Sequence, residues 1–578
     1  MNLVDTLIQK APNKVFLSIL LGILSGVSYS LLIPLISTSL QQDQGLFEPQ
    51  SISVQTFFGF EIANYPFAKL FLIICLFILV TKSCSQIILT RVGLEVTSDL
   101  RKKVYGIISD TSISTLEKVG PARLIAALTT DVPRISFGAR AIPELLINII
   151  TLFGMLSFLL YLNTDVFWFV IKCIIFGAIT HQVPMFIGDR YFKRSREYMD
   201  QLHQSINGLI YGAKELKLNQ EKRKAFYEQI LSEQERAILE ADKAGHTYVR
   251  GAISYGGLIS FFVIGAVSFI FVNYHAITDA ELISVVMVLL YITGPIGNIL
   301  NFMPQLAVAR TSLKKVNRLF SHLPPENINK DTLISFGDWS TISFKQVAYK
   351  YDNSTSGFNI GPLDFELSRG QITFIIGGNG SGKSTLSKII TQHYLPKSGE
   401  VYIDDKRIDQ DSVESARQCF VAIYSDYYLF DRLHGVFDSS LKEKVDNYLA
   451  ALSLKDKVTF ENGKFSTLTL SDGQRRRLAL LVAYVEDKDC YLFDEWAADQ
   501  DPVFKDIFYN KILQDLKQKG KAVVVITHDD RYFEVADKLI VMKQGILHQG
   551  NKSNKDISDF YKSNEDGEKL AGVAGVGT

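Results

Sequence analysis

The chain has 578 residues, balances 61 basic against 61 acidic side chains, and is 47% hydrophobic while still 21% charged. That length exceeds one core and suits two large domains, and zero net charge offers no overall basic balance for nucleic acid as a partner. High apolar and high charged content together fit an uneven chain, apolar in one part and soluble in another.

Five cysteines (Cys75, Cys84, Cys173, Cys419 and Cys490) show no CxxC or Cys/His spacing, so neither a zinc site nor a disulfide scaffold is expected. Six apolar stretches precede residue 305, over residues 15–40, 67–92, 141–162, 166–187, 251–272 and 282–303. Each is long enough to cross a hydrocarbon core of about 30 Å as a helix. The first is too long for a cleavable signal peptide and lacks a clear small-residue cleavage site, so it reads as a membrane helix.

Positive charge sets the expected topology. Residues 41–66 carry Asp43, Glu48 and Glu61 but no Lys or Arg, and the turns at Asn163-Thr164-Asp165 and at 275–281 also lack them. Residues 91–140 hold Arg91, Arg101, Lys102, Lys103, Lys118, Arg123, Arg134 and Arg140, and residues 190–250 are richer still. Both termini and the two basic segments are therefore expected in the cytoplasm, with the three positive-free loops outside.

The basic segments read as helical extensions of the membrane helices. Tyr198, Leu202, Ile206, Leu209, Ala213 and Leu216 recur at three- and four-residue steps, and a weaker stripe runs through 226–238. Turns are expected at the tips, near 112–120 and 209–217. Ionisable residues inside spans are functional candidates: Lys82, Glu144 and Lys172, with His181 a weaker one. Snorkelling to the interface is the competing account for Glu144 and Lys172.

The composition changes after Phe320. Residues 321–334 carry two prolines and read as a linker, and strand-like alternation starts at Ser335. A β-prone run over 371–376 leads into Gly377-Gly378-Asn379-Gly380-Ser381-Gly382-Lys383-Ser384, and a helix is expected over 384–393. This strand–loop–helix context is what a phosphate loop requires: glycine backbone N–H groups converge on phosphate oxygens and the helix dipole adds positive potential. Lys383 is expected on the β- and γ-phosphates, and Ser384 on Mg²⁺.

A second apolar strand over 490–493 ends in Asp494-Glu495. Asp494 suits the Mg²⁺ shell, and Glu495 suits a general base toward water. A third strand, 522–526, delivers Thr527-His528 to the same carboxyl edge of a parallel sheet, where such sheets bind ligands. His528 is expected at the γ-phosphate.

This set resembles the nucleotide-binding domain of ATP-binding cassette transporters. Leu470-Ser471-Asp472-Gly473-Gln474 is similar to their signature motif, with Asp472 where the first of two glycines is usual. The resemblance implies that Ser471, Asp472, Gly473 and Gln474 cap the γ-phosphate of ATP held by an opposite subunit, so that the protein is a homodimer. It also implies adenine stacking on Tyr351, a nucleotide site over residues 377–384 with Thr385, and Asp501 in the loop linking the two sites. Six membrane helices with two cytoplasmic excursions and one cassette are the exporter layout, so the resemblance spans nearly the whole chain. The tips then read as coupling helices that dock on cassettes.

Asp494-Glu495-Trp496-Ala497-Ala498-Asp499-Gln500-Asp501-Pro502, His528-Asp529-Asp530-Arg531-Tyr532-Phe533 and Gly212-Ala213-Lys214-Glu215-Leu216-Lys217-Leu218 resemble the cyclic-peptide exporter branch. That branch includes pyoverdine and syringomycin export proteins and a microcin efflux protein. The chain departs from the family at Tyr424-Ser425-Asp426, where a glutamine is usual, so Asp426 or Ser425 is the expected substitute near Mg²⁺. Residues 430–470 are also few for the usual helical subdomain.

The sequence thus predicts an all-α six-helix transmembrane domain (1–320), a linker (321–334), an α/β P-loop nucleotide-binding domain (335–562) and a small-residue tail (563–578). The expected function is ATP-driven export of a peptide-derived metabolite or siderophore precursor across a bacterial inner membrane. A lipid or multidrug exporter is the alternative within transport, and an ATP-gated regulator the one outside it.

Overall fold

The computed structural model describes residues 11–42, 55–57, 60–62, 64–274, 277–328, 334–351, 359–434 and 439–550. Asp43, Glu48, the tail 563–578 and the expected domain limit at 562 lie outside the described residues. The chain divides into two compact units, Met1–Gly106 with Ala122–His322, and Ile107–Pro121 with Leu323–Thr578.

Among the described residues, six helices are long and apolar enough to cross a membrane. Their main segments are α1 (Pro12–Gln42), α2 (Tyr65–Asp110), α4 (Val132–Leu162), α5 (Thr164–Tyr211), α7 (Ser232–Phe269) and α8 (Asp279–His322), with the short helices α3 (Ile113–Val119) and α6 (Ala213–Leu218) at the two tips. They outrun the apolar stretches by several turns, because helix continues through the charged residues where hydropathy fades. Asn163 starts α5 by accepting from the backbone N–H groups of Asp165 and Val166, each at 3.1 Å.

Small residues bring the helices together. A methyl on Gly154 would lie 2.3 Å from Ser30 Cβ, and one on Gly138 would lie 2.2 Å from Ala309 Cβ. Such close approach is how helices associate where no hydrophobic drive separates protein from lipid. Ser37 and Ser284 hydroxyls meet at 2.5 Å.

The second unit is built on a six-stranded sheet. Its strands are β3 (Ile372–Ile376), β6 (Phe420–Ile423), β7 (Cys490–Asp494), β8 (Ala522–Ile526), β9 (Lys538–Lys543) and β10 (Ile546–Gly550), in the order β10-β9-β3-β8-β7-β6, parallel except for β10. Strands β3, β7 and β8 are buried at every residue, which explains their unbroken apolar runs: parallel strands are covered on both faces. A four-stranded antiparallel sheet formed by β1 (Thr341–Lys350), β2 (Asn359–Ser368), β4 (Ser398–Ile403) and β5 (Lys406–Arg407) closes one core, around Phe344, Phe365, Ile375 and Ile540. On the other side α10 (Ser439–Ala451) and α11 (Asp472–Glu486) cover a second core around Leu449, Leu480, Phe493 and Phe508.

Two boundaries differ from the sequence reading. Residues 107–121, read as part of the first domain, cluster with the second unit. Residues 321–328 are not a free linker: α8 runs to His322, Leu323 is buried, Thr111 bridges Pro325, and Arg417 holds Glu326 at 2.7 Å.

Candidate nucleotide site

The register places three strand ends on one edge. Asp494 lies opposite Ile526 and Ile526 opposite Ile375, so Gly377, Glu495 and Thr527 leave the sheet side by side. The loop after β3 bends through positive φ at Gly377, Gly380 and Gly382. Gly382, at φ 105°, precedes α9 (Lys383–Ile390), and a methyl there would meet Ile360 at 2.8 Å. The helix thus starts one residue earlier than the sequence reading and stops at Ile390, three residues sooner. Lys383 sits inside the loop and donates to the Gly377 and Gly378 carbonyls at 2.8 and 3.0 Å. Burial lowers its pKa, while Glu495 and Asp494 oppose that shift. Asn379 and Ser384 are exposed, and Ser381 Oγ is buried without a hydrogen-bond partner. A concave loop with a caged ammonium and an unsatisfied hydroxyl fits a polyphosphate.

Asp494 is buried, and its carboxyl is pushed up to about 6, by burial first and by Glu495 and Asp426, against a backbone hydrogen bond from Ser425 and the charge of Lys383. A buried carboxyl beside two more acids is suited to a hard dication. Among the described residues no group of three or more His, Cys, Asp or Glu side chains could hold a metal ion alone, so Mg²⁺ would need phosphate oxygens and water besides Ser384 and Asp494. Glu495 holds φ at 52°, a left-handed conformation that is costly for a side-chain-bearing residue. Two bonds hold it there: its N–H donates to the Ile526 carbonyl at 3.0 Å, and its Oε1 lies 2.9 Å from His528 Nε2. An open cavity of about 330 Å³ reaches Glu495 and His528 and is also lined by Lys505, Tyr509 and Thr527.

Ser471 caps α11 in a reciprocal box with Gln474, Ser471 Oγ accepting from Gln474 N at 3.4 Å. Gly473 is wedged beneath the Asp499 carbonyl, where a methyl would come to 2.9 Å, and its own carbonyl accepts from Gln500 Nε2 at 3.0 Å. Asp472 is exposed in the first turn of α11. Among the described residues, none of these four hydrogen-bonds to the phosphate loop. Asp501 caps α12 (Pro502–Ile507) through Phe504 N and pairs with Arg477 at 2.6 Å. Sequence reasoning missed two arginines here: Arg476 donates to the Glu495 carbonyl and pairs with Asp499 at 2.7 Å, and Arg477 clamps Gln500 and Asp501. The triplet Arg475-Arg476-Arg477 was the only visible sign.

Tyr351 lies at the end of β1, and its hydroxyl meets Thr385 Oγ1 at 2.7 Å. Tyr351 packs edge-on against Tyr349 and Tyr394, which stack on each other. This cluster reaches the first tip. Glu117 on α3 accepts from Lys388 Nζ at 2.7 Å and from the Tyr394 hydroxyl. Next to it, Thr391, His393 and Tyr424 form a hydrogen-bonded triangle with edges of 2.6, 2.7 and 3.1 Å. Tyr424 adjoins Ser425, so the loop lacking the usual glutamine is anchored at its base by that triangle. Burial, followed by the charge of Arg417, lowers the pKa of His393. No spacing rule singles out Glu117, Lys388 or Tyr394 in the sequence.

A family profile described as ABC transporter matches residues 360–498. The ATP-binding protein SyrD of Pseudomonas syringae pv. syringae is 32% identical over 554 residues, covering 93% of this chain and 94% of that protein. An ATP-dependent lipid A-core flippase of Colwellia psychrerythraea is 23% identical over 507 residues, 80% of each chain. The structure of a bacterial Atm1-family ABC exporter with ATP bound superposes with a TM-score of 0.70 at 17% identity, covering 96% of this chain and 98% of that one. Similarity of this extent, on top of a phosphate loop, an acidic strand end and a capped signature helix on one cassette, makes the chain a multi-pass membrane protein of the ATP-binding cassette exporter family, an ATPase coupled to transport.

Proposed function

We propose that the protein exports a peptide-derived metabolite, a cyclic peptide or a siderophore precursor, as a homodimer whose two ATP sites form between facing cassettes. The observation that carries the paired site is the separation within one cassette: Ser471–Gln474 bond to one another and to Gln500, never to the phosphate loop. In this reading a second copy's signature helix completes each phosphate loop. Exposed apolar side chains fit the same reading, with Tyr211 and Leu218 at the second tip and Tyr428 and Phe430 on the cassette. The cargo class is supported by the similarity to SyrD along nearly the whole chain, and the bacterial inner membrane with cytoplasmic cassettes by the distribution of Lys and Arg. The flippase relative supports a second reading, a lipid cargo.

In this mechanism ATP enters the loop over 377–385, Lys383 exchanges its two carbonyl partners for β- and γ-phosphate oxygens, and the adenine stacks on Tyr351. Mg²⁺ on Ser384, Asp494 and, through water, Asp426 would neutralise phosphate charge when bound. Glu495 takes the proton of the attacking water as the water oxygen bonds to the γ-phosphorus and the bond to the β-phosphate oxygen breaks. His528 orients Glu495 from 2.9 Å and faces the γ-phosphate. Closure of the cassettes draws on the tips, the membrane cavity turns outward, and hydrolysis resets it.

Glu495→Gln keeps the size and the His528 contact but cannot accept the proton. Steady ATP turnover is expected to fall by about 10²-fold or more, while binding of a fluorescent ATP analogue persists. Normal turnover in the variant, or full activity in a strictly monomeric preparation, defeats the paired-site mechanism. Uptake by inside-out vesicles of a peptide-derived cargo against a labelled lipid separates the two cargo readings.

A further inference from the structure

The left-handed backbone at Glu495 (φ 52°) is uncommon for a residue with a side chain and persists only where its surroundings over-determine it. The Ile526 carbonyl holds its N–H and His528 holds its carboxylate. What remains to be fixed is its own carbonyl, which accepts from the guanidinium of Arg476 and from the Ala498 N–H at 3.2 Å. The link is returned one residue on, where Trp496 Nε1 donates to the Arg476 carbonyl at 2.9 Å. Arg476 is thus bonded through its side chain to Glu495 and through its backbone to Trp496. It lies on α11, one turn beyond Asp472, in the helix that Ser471 caps. Neither end of the link has room to drift. Arg476 is 9% exposed and also pairs with Asp499 at 2.7 Å, and Trp496 is buried and stacks on Phe508 at 4.3 Å. A planar guanidinium presents its donors in a fixed fork, so one side chain serves the Glu495 carbonyl and Asp499 together. Burying a cation to satisfy one carbonyl costs desolvation that water at a half-exposed turn would not.

We propose that Arg476 is a positioning residue for ATP hydrolysis: from the signature helix it fixes the backbone of Glu495, and so the direction in which that carboxylate meets the attacking water. The proposal rests on the reading of Glu495 as the general base. Arg476 itself acts through Glu495 and is assigned no contact with nucleotide. Its loss frees the Glu495 carbonyl and lets the backbone relax from the left-handed conformation, which turns the carboxylate away from His528 and from the open cavity that both reach.

The test uses the full-length protein in nanodiscs and measures ATP turnover in light and heavy water beside binding of a fluorescent ATP analogue. Arg476→Met keeps a long side chain but no donor. It is expected to lower kcat about 10- to 100-fold, as misplacing a reacting group by about 1 Å can. The KM for ATP and the analogue affinity should change by no more than about twofold, because the interaction lost is one that matters only in the transition state. The solvent isotope effect on kcat should rise as proton transfer to Glu495 comes to limit the cycle. Arg476→Lys, which keeps the cation and a donor, should recover most of the turnover. In single turnovers of radiolabelled ATP, adding Arg476→Met to Glu495→Gln should slow hydrolysis by less than about twofold more, since no base is left to position. Should the methionine variant fail to bind nucleotide, Arg476→Gln, whose shorter amide stops before the carbonyl, carries the same series. Unchanged kcat overturns the proposal. So does a full further loss on the Glu495→Gln background, or a fall in kcat matched by lost analogue binding in both the Met and Gln variants, which marks a structural role. Normal turnover in Glu495→Gln alone defeats the general-base reading and the proposal with it, whereas slow Glu495→Gln beside normal Arg476→Met keeps that reading and removes only Arg476.

Discussion

Replacing Glu117 by alanine isolates how the first tip is held. Glu117 accepts two bonds, from Lys388 at 2.7 Å and from the Tyr394 hydroxyl. The ion pair is partly exposed, at 21% for Lys388 and 42% for Glu117, so it contributes about 0.2–1 kcal/mol. Tyr394 is only 2% exposed, and its hydroxyl, left without an acceptor, costs about 1–3 kcal/mol. Together these predict a loss of about 1–4 kcal/mol in tip docking, or roughly 5–900-fold in the docked population. Hydrogen exchange of the α3 amides in the full-length protein measures this directly, and stimulation of ATPase by cargo should weaken alongside. The Tyr394→Phe background is the internal control: with no hydroxyl to strand, Glu117→Ala there should cost only the ion-pair share. An equal cost in both backgrounds, or unchanged α3 protection in the single variant, refutes the reasoning.

Three further outcomes follow from the site. An unperturbed aspartate titrates near 3.9 and Asp494 near 6, so the folded protein keeps this proton longer than the unfolded chain and its stability falls as pH rises from about 4 to about 6. At pH 8 without Mg²⁺, Asp494→Asn should therefore be more stable by about 2–3 kcal/mol; a lower thermal midpoint than the parent's in the same buffer contradicts this. Asp472→Arg places a cation on the positive end of α11, which costs about 0.5–1 kcal/mol, and, by opposing the facing nucleotide, should stop ATP turnover in the dimer; retained turnover counts against the signature role. Tyr351→Ala should weaken nucleotide binding about 2- to 12-fold through lost stacking, while Tyr351→Phe, which gives up only the Thr385 bond, should stay near the parent in a fluorescent-nucleotide titration.

The six spans and the phosphate loop were legible because each rests on a local rule. About 20 apolar residues have few fates other than a membrane helix, and a glycine loop between strand and helix has few fates other than phosphate. Strands β3, β7 and β8 were legible because burial on both faces leaves an unbroken apolar run. Helix lengths were not, since α2 and α5 continue through charged residues where hydropathy is silent but backbone hydrogen bonding is unbroken. Arg476, Glu117 and Tyr394 were also hidden, because each acts on a partner far along the chain and charged or aromatic residues are common everywhere.

By itself, the sequence determined chemistry that depends on neighbours in the chain: which segments are apolar, where phosphate binds, and which carboxylates end a buried strand. Only the tertiary structure decided what depends on neighbours in space. It moved residues 107–121 into the cassette unit, tied Glu117 to Lys388 and Tyr394, and locked Glu495 between Ile526 and His528. It also left Nδ1 of His181 buried without a hydrogen-bond partner. The physical reason is one of range: propensity, hydropathy and loop geometry act over a few residues, whereas burial and hydrogen-bond satisfaction are settled only when distant segments meet.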